Sequence, residues 1–222
     1  MGRREQYREQ TRDEIKALAR QQLADGGPMS LSLNAIARTM GVAVSGLYRY
    51  YDGRDALLTA LILDAFHAHA DAMEQAEAAH QPRTDYAGRL LAALIAYREW
   101  AVTYPSEFAL IYGTPVPGYH APREETVAAA SRAMNVVLGV LGEAHAAGHM
   151  RDPNLAGEPV GLIDMGVSPA LAEWAMMGWT RIHGVTVLDA FGHFNDMMQD
   201  RSTFYRNACM RLLREGGLLP PP

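Results

Sequence analysis

The 222-residue sequence contains one cysteine, Cys209, so it has no second thiol for an internal disulfide and no thiol set for a metal site. In a reducing compartment its expected role is small apolar filler in a C-terminal helix. No run of about eighteen apolar residues is present to read as a membrane span, and the opening MGRREQYREQTRDEIK is polar where a secretory signal needs an apolar middle. A cytoplasmic location and no membrane partner are therefore expected. The sequence also lacks a nucleophile–base spacing, a phosphate-cradling glycine loop and a metal motif, so no enzyme, no cofactor and no metal is expected. Few segments alternate apolar and polar residues as a sheet requires, which leaves an all-α fold.

What is present begins with an apolar content of 49%, enough for a substantial core. The net charge of -5 is unevenly distributed. Residues 1–54 hold nine cations (Arg3, Arg4, Arg8, Arg12, Lys16, Arg20, Arg38, Arg49 and Arg54) against six acids, a balance of +3, and the remainder sums to -8. A basic head on an acidic body fits a phosphate-bearing partner, although a solvated first helix would have the same balance.

Thr11 and Glu14 have capping-box spacing ahead of Ile15, Leu18, Ala19 and Leu23, which predicts a first helix from about residue 11 or earlier to Ala24. Asp25-Gly26-Gly27-Pro28 stops it. Ser32 is a good N-cap for a short second helix carrying Leu33, Ile36, Ala37 and Met40, and Gly41 follows at the turn. A third short helix is expected over 42–48 and a fourth from Arg54 or Asp55. Pro82 separates the fourth from a fifth over 85–103, and Pro105 opens the short helix PSEFALIY. Residues 113–122 hold three prolines and two glycines and are expected to be irregular. Helices over 123–148, from Pro169 to Ala190, and from Asp200 or Ser202 to Gly216 complete the chain, with a long connection over 151–168.

Two short helices joined by a glycine turn and preceded by a basic helix suit presentation of the second short helix to a DNA major groove, though a small three-helix core has the same pattern. The residues decide further. Ser32, Ile36-Ala37, Met40-Gly41-Val42, Leu47-Tyr48, Tyr50 and Arg54 through Leu57 stand in an ordered run that resembles the N-terminal domain of the TetR family of bacterial regulators. TRDEIKALARQQLADGG is similar to that family's first helix. The resemblance implies a three-helix helix-turn-helix domain, residues 1–54, followed by a larger helical ligand-binding and dimerisation domain, residues 55–222.

By chemistry, Ser32 at a helix start can hold a phosphate, a role the resemblance also implies. Tyr48 and Tyr50 can offer phenolic donors while their rings brace the head, and Arg54 and Arg12 can anchor the backbone. Base reading is expected from Val44, Ser45, Gly46 and Arg49, with Asn34 assisting. Val44 suits a thymine methyl and Ser45 a base edge or phosphate. Ala43 and Gly46 depart from the family's frequent Ser and Thr, which removes a side-chain cap and one hydroxyl from the third helix.

Residues 173–194 offer Ala175, Gly178 and Gly184 for close helix approach and Trp174, Trp179, Ile182, Val185 and Leu188 as apolar surface. A homodimer interface is expected there from Ala175, Gly178, Trp179, Ile182, His183, Val185, Leu188 and, from the last helix, Phe204. A two-fold dimer would read a palindromic double-stranded operator. Trp179, His183 and Gly184, followed by Gly192-His193, resemble the C-terminal domain of a TetR subgroup marked by Trp-His-Gly. His183 and His193 also suit a metal or acid–base pair, but without a partner set they read as packed or capping histidines. The family resemblance places an effector cavity among the fifth, seventh and eighth helices. Tyr97, Trp100, Phe108, Ile111, Tyr112, Met134, Leu138, Trp174, Met177 and Arg181 are its expected wall, suited to a small, largely apolar effector, and each also fits ordinary core. Helix four would carry the change to the head, most simply releasing a repressor from its operator. A ligand-responsive protein with weakened DNA binding is the nearest alternative, and an enzyme a more distant one.

Overall fold

The computed structural model describes residues 2–150, 153 and 165–220, and the connection expected over 151–168 lies largely outside the described residues. The described residues hold α-helices and a 3-10 turn and no strand. They fall into two compact units, one of Met1–His67 with Ser106–Ala129 and one of Ala68–Pro105 with Ala130–Pro222.

In the first unit α1 covers Arg3–Gly26 and starts two turns earlier than the capping-box spacing predicts. Thr11 Oγ1 donates to the Tyr7 carbonyl at 2.8 Å, one helical turn back, so Thr11 lies inside a running helix and caps nothing. Residues 3–10 contain no breaker and are mostly Arg, Glu and Gln, which favour helix. Gly27 ends α1 with φ 69°, and Pro28–Ser30 forms a 3-10 turn. The Ser32 side chain accepts from the Ala35 N–H at 3.3 Å and starts α2, Leu33–Met40, which Gly41 closes with φ 68°. After it, α3 is a single turn, Val44–Leu47, and α4 runs Gly53–Ala79 across the boundary between the units.

Ile15, Ala19, Leu23, Leu31, Ile36, Leu47, Leu57, Leu58 and Leu61 form the core of this unit. Each large aliphatic side chain so buried contributes about 1.5–3 kcal/mol. Around this core, Lys16 Nζ and Arg20 Nη2 both donate to the Asp64 carboxylate, at 3.0 and 2.8 Å. α6, Pro105–Tyr112, and the chain after it add Leu110, Ile111, Val116 and Tyr119 to the same core.

In the second unit α5 (Tyr86–Thr103), α8 (Pro169–Ala190) and α9 (Arg201–Glu215) pack on one another. They are capped by Asp85, Ser168 and Asp200, whose side chains accept from the N–H groups of Gly88, Leu171 and Thr203. α7, Arg123–Ala146, is long and apolar enough by composition to cross a membrane. Only one side of it is buried: Leu138, Val140, Leu141 and Ala144 pack with Leu90, Leu171, Ile182 and Leu212, and Arg132 and Glu143 hold ion pairs to Glu74 and Arg89. Cys209 is fully buried, as expected, and burial pushes its thiol up to about 12.

Candidate nucleic-acid interface

The expected DNA-reading residues all fall in the first unit, around α2 and α3, but not all of them point outward. Asn34 on α2 and Ser45 and Arg49 on and after α3 are exposed, and Tyr48 is 53% exposed. Val44 and Tyr50 are half-buried and pack on the head core. A Cβ added to Gly46 would meet nothing within 4 Å, so the side-chain position there is open. Ala43 provides α3 with no side-chain cap.

The two expected phosphate anchors are engaged within the protein. Arg54 Nε donates to the Leu31 carbonyl at 3.3 Å and its Nη2 to the Pro28 carbonyl at 2.9 Å, which fastens the 3-10 turn to the start of α4. Arg12 Nη2 donates to the Tyr50 carbonyl at 3.4 Å, and its guanidinium lies 5.7 Å from the centre of the Tyr51 ring. Tyr51, which the sequence reading did not single out, is buried, and its hydroxyl makes no hydrogen bond among the described residues. Burial pushes the Tyr51 phenol above its ordinary pKa, with the nearby Arg12 pulling the other way. The contact of Arg12 with Tyr50 and Tyr51 is long-range in sequence, and the local pattern that suggests phenolic donors cannot distinguish which ring turns inward.

The expected effector wall is divided between the two units. Phe108, Ile111 and Tyr112 belong to the first unit, where Ile111 packs on the head core and the Phe108 and Tyr112 rings lie tilted with centroids 5.2 Å apart. Tyr97, Trp100, Met134, Leu138 and Trp174 belong to the second unit and are buried or half-buried. Met177, 64% exposed, and Arg181, paired with Glu215 at 2.7 Å, lie on the outer face of α8. Two recesses in the second unit, of about 780 and 360 Å³, are lined instead by residues such as Tyr86, His149, Arg214 and Leu219, and His80, Ile95 and Met210.

Within the second unit the expected residues do form a polar cluster. Tyr97 Oη lies 2.6 Å from His183 Nδ1, and Trp179 stacks on the His183 ring with centroids 4.7 Å apart. His69, which the sequence reading passed over, is fully buried, with its ring 4.5 Å from Tyr97 and 4.8 Å from Trp100. Burial pushes the His69 imidazole down from 6.5 to about 4 and lowers His183 as well, so both rings are neutral near pH 7. No group of three metal-ligating side chains occurs among the described residues.

The expected dimer residues divide the same way. Ala175, Gly178 and Ile182 are buried inside the unit, Ile182 at 1% exposure, and a Cβ on Gly178 would meet Leu212 at 3.0 Å. Val185 packs on the core, while Leu188 and Phe204 are exposed as expected, together with Met177 and Phe191. The reason is the helix period. Residues 177, 181, 184 and 188 share a stripe turned about 120° around the helix from the one that holds 171, 175, 178 and 182.

An exposed short helix after a glycine-closed α2, within a three-helix core that carries cations outward, defines a helix-turn-helix DNA-binding regulator. Known proteins place it further. The family model for bacterial regulatory proteins of the tetR family matches residues 15–61, and the one for the tetracyclin repressor-like C-terminal domain matches residues 90–212. The HTH-type transcriptional regulators Rv1816 of Mycobacterium tuberculosis and Mb1846 of Mycobacterium bovis are each 34% identical, over 96% of this chain and 94% of theirs. A solved structure described as a regulatory protein, SCO4313, is 35% identical with a TM-score of 0.77, over 96% of this chain and all of that one. The chain belongs to the TetR family of DNA-binding transcriptional regulators.

Proposed function

We propose that the protein is a homodimeric repressor that reads a palindromic operator and is released by a small, largely apolar effector. The DNA-binding domain is residues 1–54 and the ligand-binding and dimerisation domain residues 55–222. The observation that carries the reading is the outward set on α2 and α3: Asn34, Ser45, Tyr48 and Arg49, exposed beside the Ser32-capped helix start. Arg49 and Ser45 face base edges or phosphates, Tyr48 donates to a phosphate, and the Ser32 end of α2 receives one. Arg54 and Arg12 serve this surface by bracing the head, through the carbonyls of Leu31, Pro28 and Tyr50.

Two heads on one body gain affinity because the second contact becomes intramolecular. The dimer surface is the stripe of Met177 and Leu188 on α8, with Phe191 just past its end and Phe204 on α9, each exposed in the single chain. The effector is recognised in the second unit beside Tyr97, Trp100 and His183. Two imidazoles held neutral and a phenol suit an apolar molecule with one uncharged polar group better than a carboxylate. The Trp179–His183 stack supports placement in the Trp-His-Gly subgroup. A protein that acts on a bacterial operator works in the cytoplasm.

The test is selection of genomic DNA fragments by the purified protein at controlled salt with competitor DNA. One recovered palindromic motif is the expected result. Recovery of only background by a folded dimer would overturn operator binding and favour the weakened-DNA-binding alternative, which Ala43 and Gly46 make specific.

A further inference from the structure

The α1 helix overhangs the head by two turns, and residues 2–10 are all exposed. In this overhang Arg4 and Arg8, with Arg12 behind them, stand four residues apart, so they rise about 6 Å per step and drift only about 40° around the axis. Glu5, Glu9 and Asp13 follow the same spacing one residue on, which turns them about 100° away. The helix thus has a cationic row and an acidic row. The cationic row continues the stripe of Ile15, Ala19 and Leu23, the side of α1 that packs into the head. N-terminal to residue 12 that side has no head to cover it.

The orientation of this row is fixed by Arg12, whose guanidinium lies on the α3–α4 turn at the Tyr50 carbonyl and the Tyr51 ring. The row therefore begins beside the exposed end of the proposed reading helix, next to Tyr48 and Arg49, and runs about 12 Å outward to Arg4. Arg4 and Arg8 form no ion pair among the described residues. Like charges at this spacing repel along a helix, a cost that an external polyanion would relieve.

We infer that Arg4 and Arg8 form a rail that follows the DNA phosphate backbone outside the bases read by α3. The inference rests on the DNA-binding reading and extends its footprint: the rail adds affinity and salt sensitivity but no sequence preference, because phosphates are the same in every sequence. The acidic row, turned away, permits only one approach of the helix to the duplex.

The experiment compares the full-length protein with Arg4→Gln/Arg8→Gln and Arg4→Lys/Arg8→Lys, titrated over a salt series on the selected operator and on an unrelated duplex. The glutamine variant is expected to lower the slope of log affinity against log salt by about 0.9 for each contact removed, or about 1.8 per head, on both duplexes alike. The lysine variant should keep the wild-type slope. An unchanged slope in the glutamine variant, a loss confined to the operator, or an equal loss in the lysine variant would overturn the rail. Failure of the wild-type protein to bind any duplex would instead overturn the DNA-binding reading itself, and unchanged helical circular dichroism in both variants separates these outcomes from unfolding.

Discussion

In the second unit Arg89, only 2% exposed, donates to Glu77, Glu143 and the Arg83 carbonyl, and Arg98 and Arg201 share the buried Asp189. In the first unit Arg3, Arg4, Arg8, Arg38 and Arg49 are exposed and make no ion pair among the described residues. The same side chain is a structural cross-link in one place and an unspent charge in the other. A buried guanidinium must be fully bonded, since an uncompensated interior charge is prohibitive, whereas a surface guanidinium adds little to stability and remains free for a partner. The contrast predicts that arginine substitutions in the second unit act on folding and those around α3 act on DNA.

The largest effect belongs to Arg89→Ala, which leaves partly buried Glu77 with Arg83 alone and exposed Glu143 without its partner, and is expected to cost about 3 kcal/mol in a denaturant titration, the low end for a broken buried pair. A cost below about 1 kcal/mol would erase the contrast. Next is the pH dependence set by His69. Its imidazole titrates near 6.5 when unfolded and near 4 when folded, so the unfolded state binds more protons between those values. Stability is complete above about pH 6.5 and is lost as the pH falls toward 4, by about 3 kcal/mol. His69→Phe should flatten that part of the stability curve, and an unchanged curve would place the titration elsewhere.

Arg49→Ala is expected to lower operator affinity about 5- to 150-fold, the equivalent of about 1–3 kcal/mol, while leaving the melting curve in place. A fall in thermal stability of equal size would make Arg49 a structural residue like Arg89. The smallest effect is that of Ser32→Ala, about 1 kcal/mol of stability from the lost cap on α2, with a further loss in DNA affinity if the same helix end holds a phosphate.

The elements were legible in the sequence where a residue has a local physical duty. Ser32, Gly41 and Asp200 sit at helix ends because they bond or bend the backbone there, and the structure uses each as expected. The start of α1 was not legible, because a helix in solvent needs no cap and Thr11 has cap chemistry without cap position. The inward side of α8 was equally hidden: Ala175, Met177, Gly178 and Ile182 are all apolar or small, so no polar stripe marks the face away from the core. The packing of Ile111 and Arg54 was hidden for a third reason. Their partners are the head core and the Pro28–Leu31 backbone, sequence-distant neighbours that no local pattern encodes.

The buried Cys209 has a practical consequence for all of these measurements. With its thiol held protonated and covered, the sole native cysteine is silent toward maleimide and methanethiosulfonate reagents. Any cysteine introduced at an exposed site such as Tyr7 or Met197 would be the one reactive thiol, so spin or fluorophore labels can be placed on either unit without first stripping the protein of its own.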